Sequence, residues 1–169
     1  MYAERLEGRL IERLTMSIRK RVEDAELLWH TGHAEGGLLM ALVAVSATAR
    51  RKYPERKDGE GFEQLLLDAR RWRLSLEFRG SQVPIERLLW KWLRCELVHE
   101  AGLPVDIKLM PIDPSGELSA RAGGAPSYEL LLSEAWLHHL LDAVIYEPVN
   151  SDLFPAGWRD AAITGTPET

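Results

Sequence analysis

A single cysteine, Cys95, stands in the whole chain, so no internal disulfide can staple the fold. Long apolar runs are missing as well. The opening MYAERLEGRLIERL carries charge at every third or fourth position, unlike the continuous apolar segment of a secretion signal or membrane span. The expected setting is therefore the cytoplasm, with no membrane partner. Internal repeats and low-complexity tracts are lacking too, which sets aside solenoids and disordered linkers. A basic excess is also absent. The formal net charge of −5 argues against a protein that coats nucleic acid nonspecifically, because counterion release takes many cationic contacts.

The charge is nevertheless uneven. Between Arg50 and Arg94 there are 12 Lys or Arg against 7 Asp or Glu, a local balance of +5 that leaves −10 for the rest. Either two amphipathic helices present solvated faces there, or an acidic body carries one basic face. At 169 residues the chain suits one domain and can bury roughly 70% of its unfolded surface.

Hydrophobic spacing predicts a mainly all-α fold, a bundle of about five helices with a small antiparallel β-hairpin inserted before the last. Leu6, Leu10, Leu14, Ile18, Val22 and Ala25 recur every three or four places and predict one helix from Tyr2 to Trp29. A second is expected over Ala34 to Lys52, stopped by Tyr53 and Pro54. Phe62 to Leu76 reads as a third, with Gly80, Ser81 and Gln82 separating it from a fourth that starts at Pro84 and closes at Gly102 and Pro104. Val105, Ile107 and Leu109, then Tyr128, Leu130 and Leu132, alternate around a DPSG turn at 113–116 and predict an antiparallel excursion over about 105–132. Ser133 suits the N-cap of a fifth helix that runs to Ile145. The bundle thus spans residues 1–148, and 149–169 reads as an irregular tail in which Leu153, Phe154 and Trp158 can dock.

The end of the fourth helix reads WKWLRCELVHEAGLP, with Arg94 and His99 five places apart. In this pattern the chain resembles the HEPN family, helical bundles marked by an Arg, four to six residues and a His near the junction of two late helices. The resemblance implies metal-independent RNA cleavage, without cofactor, at a site shared by a homodimer. It also implies a toxin or defence and stress effector, with an antitoxin or nucleotidyltransferase as partner. In that reading His99 acts as general acid or base at a ribose 2′-hydroxyl or leaving oxygen, and Arg94 stabilises the extra charge of the transition state. Glu96, at i−3 from His99, and Cys95 play supporting parts. The family more often has Asn, Asp or His where Cys95 stands, and Ala101 replaces the tyrosine of one variant motif.

On a straight helix Arg94 and His99 point about 140° apart and sit about 7.5 Å apart along the axis. They converge only if the helix loosens or a second chain contributes. Phosphate contacts are expected from Arg50, Arg51, Lys52, Arg70, Arg71, Arg73 and Lys91. The alternative is a noncatalytic helical module for dimerisation or protein binding, in which Arg94 forms an ion pair and His99 caps a helix end. His30, His33 and Glu35 are too loosely spaced for a metal site and read as a turn, and adjacent His138 and His139 face different sides of the fifth helix. Trp90 and Trp92 cannot share a face, so one is expected in the core and the other at an interface.

Overall fold

The structure, a computed structural model, describes residues 17–111, 117–123 and 129–159. The start of the expected first helix with Leu6, Leu10 and Leu14, the DPSG turn, Tyr128 and the chain from residue 160 lie outside these.

Helix α1 covers residues 17–30 and buries Ile18, Val22 and Ala25 along one stripe. It ends in a Schellman motif. Gly32 takes a φ of 82°, its N–H donates to Trp29 O at 3.0 Å, and the His33 N–H donates to Leu28 O at 2.8 Å. Helix α2, Ala34–Lys52, follows the expected span and runs through the middle of the fold, buried on Leu38, Ala41, Leu42, Val45 and Ala49. Gly37 lets it approach two neighbours at once: a Cβ there would stand 3.0 Å from both Ala25 O and Leu137 Cδ1. Helix α3, Asp58–Asp68, packs Phe62, Leu65 and Leu66 against it.

The third helix was expected to reach Leu76, but it stops at Asp68. Residues 75–84 form a hairpin instead, β1 (Ser75–Phe78) antiparallel to β2 (Ser81–Pro84). Arg79 and Gly80 connect them with φ of 52° and 76°, the left-handed pair of a type I′ turn that suits the twist of two short strands. The chain then turns straight into a helical segment. It comprises α4 (Ile85–Leu88), a π-helical stretch Leu89–Arg94, and α5 (Cys95–His99).

A second sheet follows, with β3 (Ile107–Met110), β4 (Ala120–Ala122) and β5 (Leu130–Ser133) in the order β3-β5-β4. The expected antiparallel pairing of the first and last of these is corrected. β3 runs parallel to β5, with Ile107 opposite Leu130, and only β4 is antiparallel to it. Helix α6, Ala135–Ile145, begins one residue after Glu134. Ser133 ends β5 instead of forming the N-cap, although its hydroxyl accepts the Ala135 N–H at 3.1 Å.

The fold is therefore mixed α/β, with two small sheets among the described residues, and not a mainly all-α bundle with one hairpin. Beyond α6 the tail is anchored: a 3-10 turn at Pro148–Asn150 leads to Phe154 and Trp158, both buried in the core with ring centroids 4.9 Å apart. No helix among the described residues is long and apolar enough to cross a membrane.

Candidate functional site

A π-helix is rare in proteins and tends to mark functional sites or local strain. Here six residues of it, LWKWLR, end at Arg94. The apolar residues Ile85, Leu88, Leu89, Leu93 and Leu97 still reach the core, so the widened turn is compatible with the buried stripe. The Arg94 guanidinium lies 4.8 Å from the centre of the Trp90 ring, which leans on Phe62 at 5.2 Å. Trp90 in turn fills the space beside Gly59, where a Cβ would come within 2.7 Å of its Nε1. The Arg94 Nε is buried and has no hydrogen-bond partner.

His99 closes α5 and is exposed, and among the described residues it takes part in no hydrogen bond or ion pair. From Cys95 onward the helix is regular, and on such a helix Arg94 and His99 point to different sides. Glu96 makes no ion pair with His99, and the half-buried Cys95 thiol is free. The chain leaves α5 through Glu100, whose N–H donates to Glu96 O at 2.7 Å, and Ala101, with a φ of 57°. Glycine normally takes that left-handed position, and an alanine there stores about 1 kcal/mol of strain just beyond His99.

The expected phosphate-binding residues divide into two groups. Four are occupied by carboxylates of the same chain. Arg50 meets Asp58 at 2.9 Å, Arg51 meets Asp152 at 2.9 Å, and Lys52 reaches both Asp68 at 3.2 Å and Glu147 at 3.0 Å. Arg70 is buried against Glu86. Arg71, Arg73 and Lys91 are exposed and make no ion pair among the described residues, Lys91 lying 4.6 Å from the Trp92 ring centre.

The sequence did not disclose two clusters. In the first, Arg79 at the hairpin tip grips Asp106 with two hydrogen bonds of 2.7 and 2.8 Å and lies 4.4 Å from the Trp92 ring centre. That contact fastens the hairpin to the π stretch and to the loop after α5, and the bonds with Asp106 hold the Arg79 guanidinium above its ordinary pKa. In the second, Arg70, Glu86, Trp72, Trp136 and His139 gather where α3, α4 and α6 meet. Burial, aided by the nearby Arg70 charge and only partly offset by Asp142, pushes the His139 imidazole down to about 4. Its Nε2 and the Arg70 Nη1 are buried without hydrogen-bond partners. His138 makes an edge contact with Trp29 at 5.3 Å, so the two adjacent histidines do separate as their spacing required. His30 ends α1 and His33 lies in the turn before α2, both exposed. No group of three potential ligands capable of holding a metal ion occurs among the described residues.

Residues 17–156 match the family model Rv1289, and the chain belongs to that family. No curated protein and no solved structure matches the chain.

Proposed function

We propose that this member of the Rv1289 family is a homodimeric, metal-independent endoribonuclease of the HEPN type, acting as a toxin or defence effector. The observation that carries the reading is the state of the two motif residues. His99 stands exposed and unengaged at the end of a helix, and the Arg94 guanidinium lies 4.8 Å from the centre of the Trp90 ring with its Nε unpartnered. An imidazole in solvent is available for proton transfer, and a guanidinium suits developing phosphate charge. Since the two diverge along one helix, a working site needs the same segment of a second copy across a two-fold axis.

A second reading, a noncatalytic protein-interaction module, draws on the internal pairing of Arg50, Arg51, Lys52 and Arg70, which removes most of the expected phosphate track. Incubating purified protein with transfer and messenger RNA in EDTA decides between them. The nuclease reading expects cleavage by the parent and a loss of about 10² to 10⁴ in rate on His99→Ala. Cleavage that survives both His99→Ala and Arg94→Ala belongs to a contaminant, and the interaction module stands.

A further inference from the structure

Trp72 lies in the short link between α3 and β1, and 46% of it is exposed. Such exposure of the largest side chain is unfavourable unless something covers it. Its inner side is unusually well fixed. The Arg70 guanidinium sits 4.7 Å from the ring centre, His139 lies nearly parallel at 6.4 Å, and Trp136 meets it edge-on at 6.4 Å. Arg70 is itself immobilised, with Glu86 on one side and a 3.2 Å hydrogen bond from its Nε to Leu66 O on the other. The exposed part of the indole is therefore held in one orientation before any ligand arrives.

Its two chain neighbours are Arg71 and Arg73, both exposed and both free of ion pairs among the described residues. The contrast with Arg50, Arg51 and Lys52, each met by a carboxylate of the same chain, is specific. No carboxylate of the described residues neutralises this local positive charge beside the indole.

We infer that Trp72, flanked by Arg71 and Arg73, is a stacking platform for single-stranded RNA, one base lying on the indole and the neighbouring phosphates on the two guanidinium groups. The identity of the ligand rests on the ribonuclease reading above. Stacking on an aromatic ring suits any base, because every base has a π face, and arginine charge supplies affinity without sequence preference. Preorganisation of the ring by Arg70, Trp136 and His139 lowers the ordering entropy that stacking otherwise demands. The platform contributes no group to the chemistry.

The test is fluorescence anisotropy with a short fluorescein-labelled 2′-O-methyl oligouridylate, which lacks the attacking hydroxyl and reports binding apart from cleavage. The parent is expected to bind, with affinity falling steeply as salt rises. Trp72→Met keeps an apolar cover over Arg70 but removes the π face, and should weaken binding about tenfold or more, whereas Trp72→Tyr stays within about threefold of the parent. Arg71→Gln combined with Arg73→Gln changes only exposed side chains, so it serves if Trp72→Met is unstable; it should weaken binding and flatten the salt dependence. Binding by Trp72→Met or by the double glutamine variant that equals the parent's overturns the platform. So does a parent that binds no oligonucleotide, or a Trp72→Met that alters only the oligomeric state in light scattering, which would make Trp72 a protein contact. A parent that cleaves RNA but is indifferent to these changes sinks the platform alone. One that binds through Trp72 but cleaves nothing sinks the nuclease reading and leaves the platform.

Discussion

Arg70 and Glu86 form an ion pair whose side chains are only 1% and 3% exposed, joining the end of α3 to the start of α4. Two charges so placed lose most of their hydration, and only each other's company and good hydrogen bonding offset it. Breaking the pair is therefore a different matter from removing it. Glu86→Ala should destabilise the protein by about 3–5 kcal/mol in urea denaturation, while Arg70→Met together with Glu86→Leu should recover most of that loss. A double variant as unstable as the single one would show that the pair's geometry, rather than its charge, holds the junction.

The pH dependence of stability follows from His139. Its folded-state pKa, near 4, lies below the unfolded value of 6.5, so between those limits the unfolded chain binds a proton that the native chain refuses. Stability is full above about pH 6.5 and falls as the pH drops toward about 4. His138, depressed mainly by burial, adds in the same direction. Asp106 and Asp152, held low chiefly by hydrogen bonds from Arg79 and Arg51, contribute losses at more acidic pH. Thermal melts between about pH 7 and pH 4.5 should thus show a fall of several degrees in the parent and a flatter profile in His139→Phe. Equal slopes would remove His139 from the account.

Asn150 is fully buried in the tail. Its Nδ2 donates to Thr48 Oγ1 at 3.0 Å and to Val144 O at 2.9 Å, and its Oδ1 accepts from Arg51 at 3.2 Å. Asn150→Ala leaves those partners unmet and should cost about 2–3 kcal/mol. Hydrogen exchange is expected to quicken first in residues 148–159; an effect spread evenly over the fold would contradict this local role.

A shared site requires a dimer. Val98, one residue before His99, is 45% exposed, and Val105 in the loop beyond is 94% exposed. Light scattering at micromolar concentration should give twice the chain mass for the parent and a monomer for Val98→Asp, with RNA cleavage lost in the variant. A monomeric parent would leave Arg94 and His99 without a second copy to complete them.

The long helical periods were readable because burial imposes them. Ile18, Val22 and Ala25, and Leu38 through Ala49, face one core whatever else happens, and α2 has the bounds its pattern announced. The first hairpin was missed for a physical reason. Its strands are four residues long, bury only Phe78 fully, and turn on Arg79, a non-glycine residue in the left-handed region whose side chain is held by Asp106 and Trp92. Parallel pairing of β3 with β5 was equally hidden, since alternation reveals a strand but not its neighbour. At the site, the spacing of Arg94 and His99 places them on different sides of a regular helix, but the π stretch before them leaves no mark in the residue pattern. The partners of Arg50, Arg51 and Lys52 come from as far away as Asp152, beyond the reach of any local reading.

In the second sheet the middle strand is the last to be synthesised. β3 and β4 do not touch each other along their length, and each finds its hydrogen-bonding partner only in β5. On the ribosome, both earlier segments wait as bare edges until Leu130–Ser133 emerges, and such edges invite pairing with other chains. The sheet therefore cannot close before residues 130–133 are available, directly ahead of α6. A nascent chain stalled before residue 130 carries two half-made seams and nothing to sew them together.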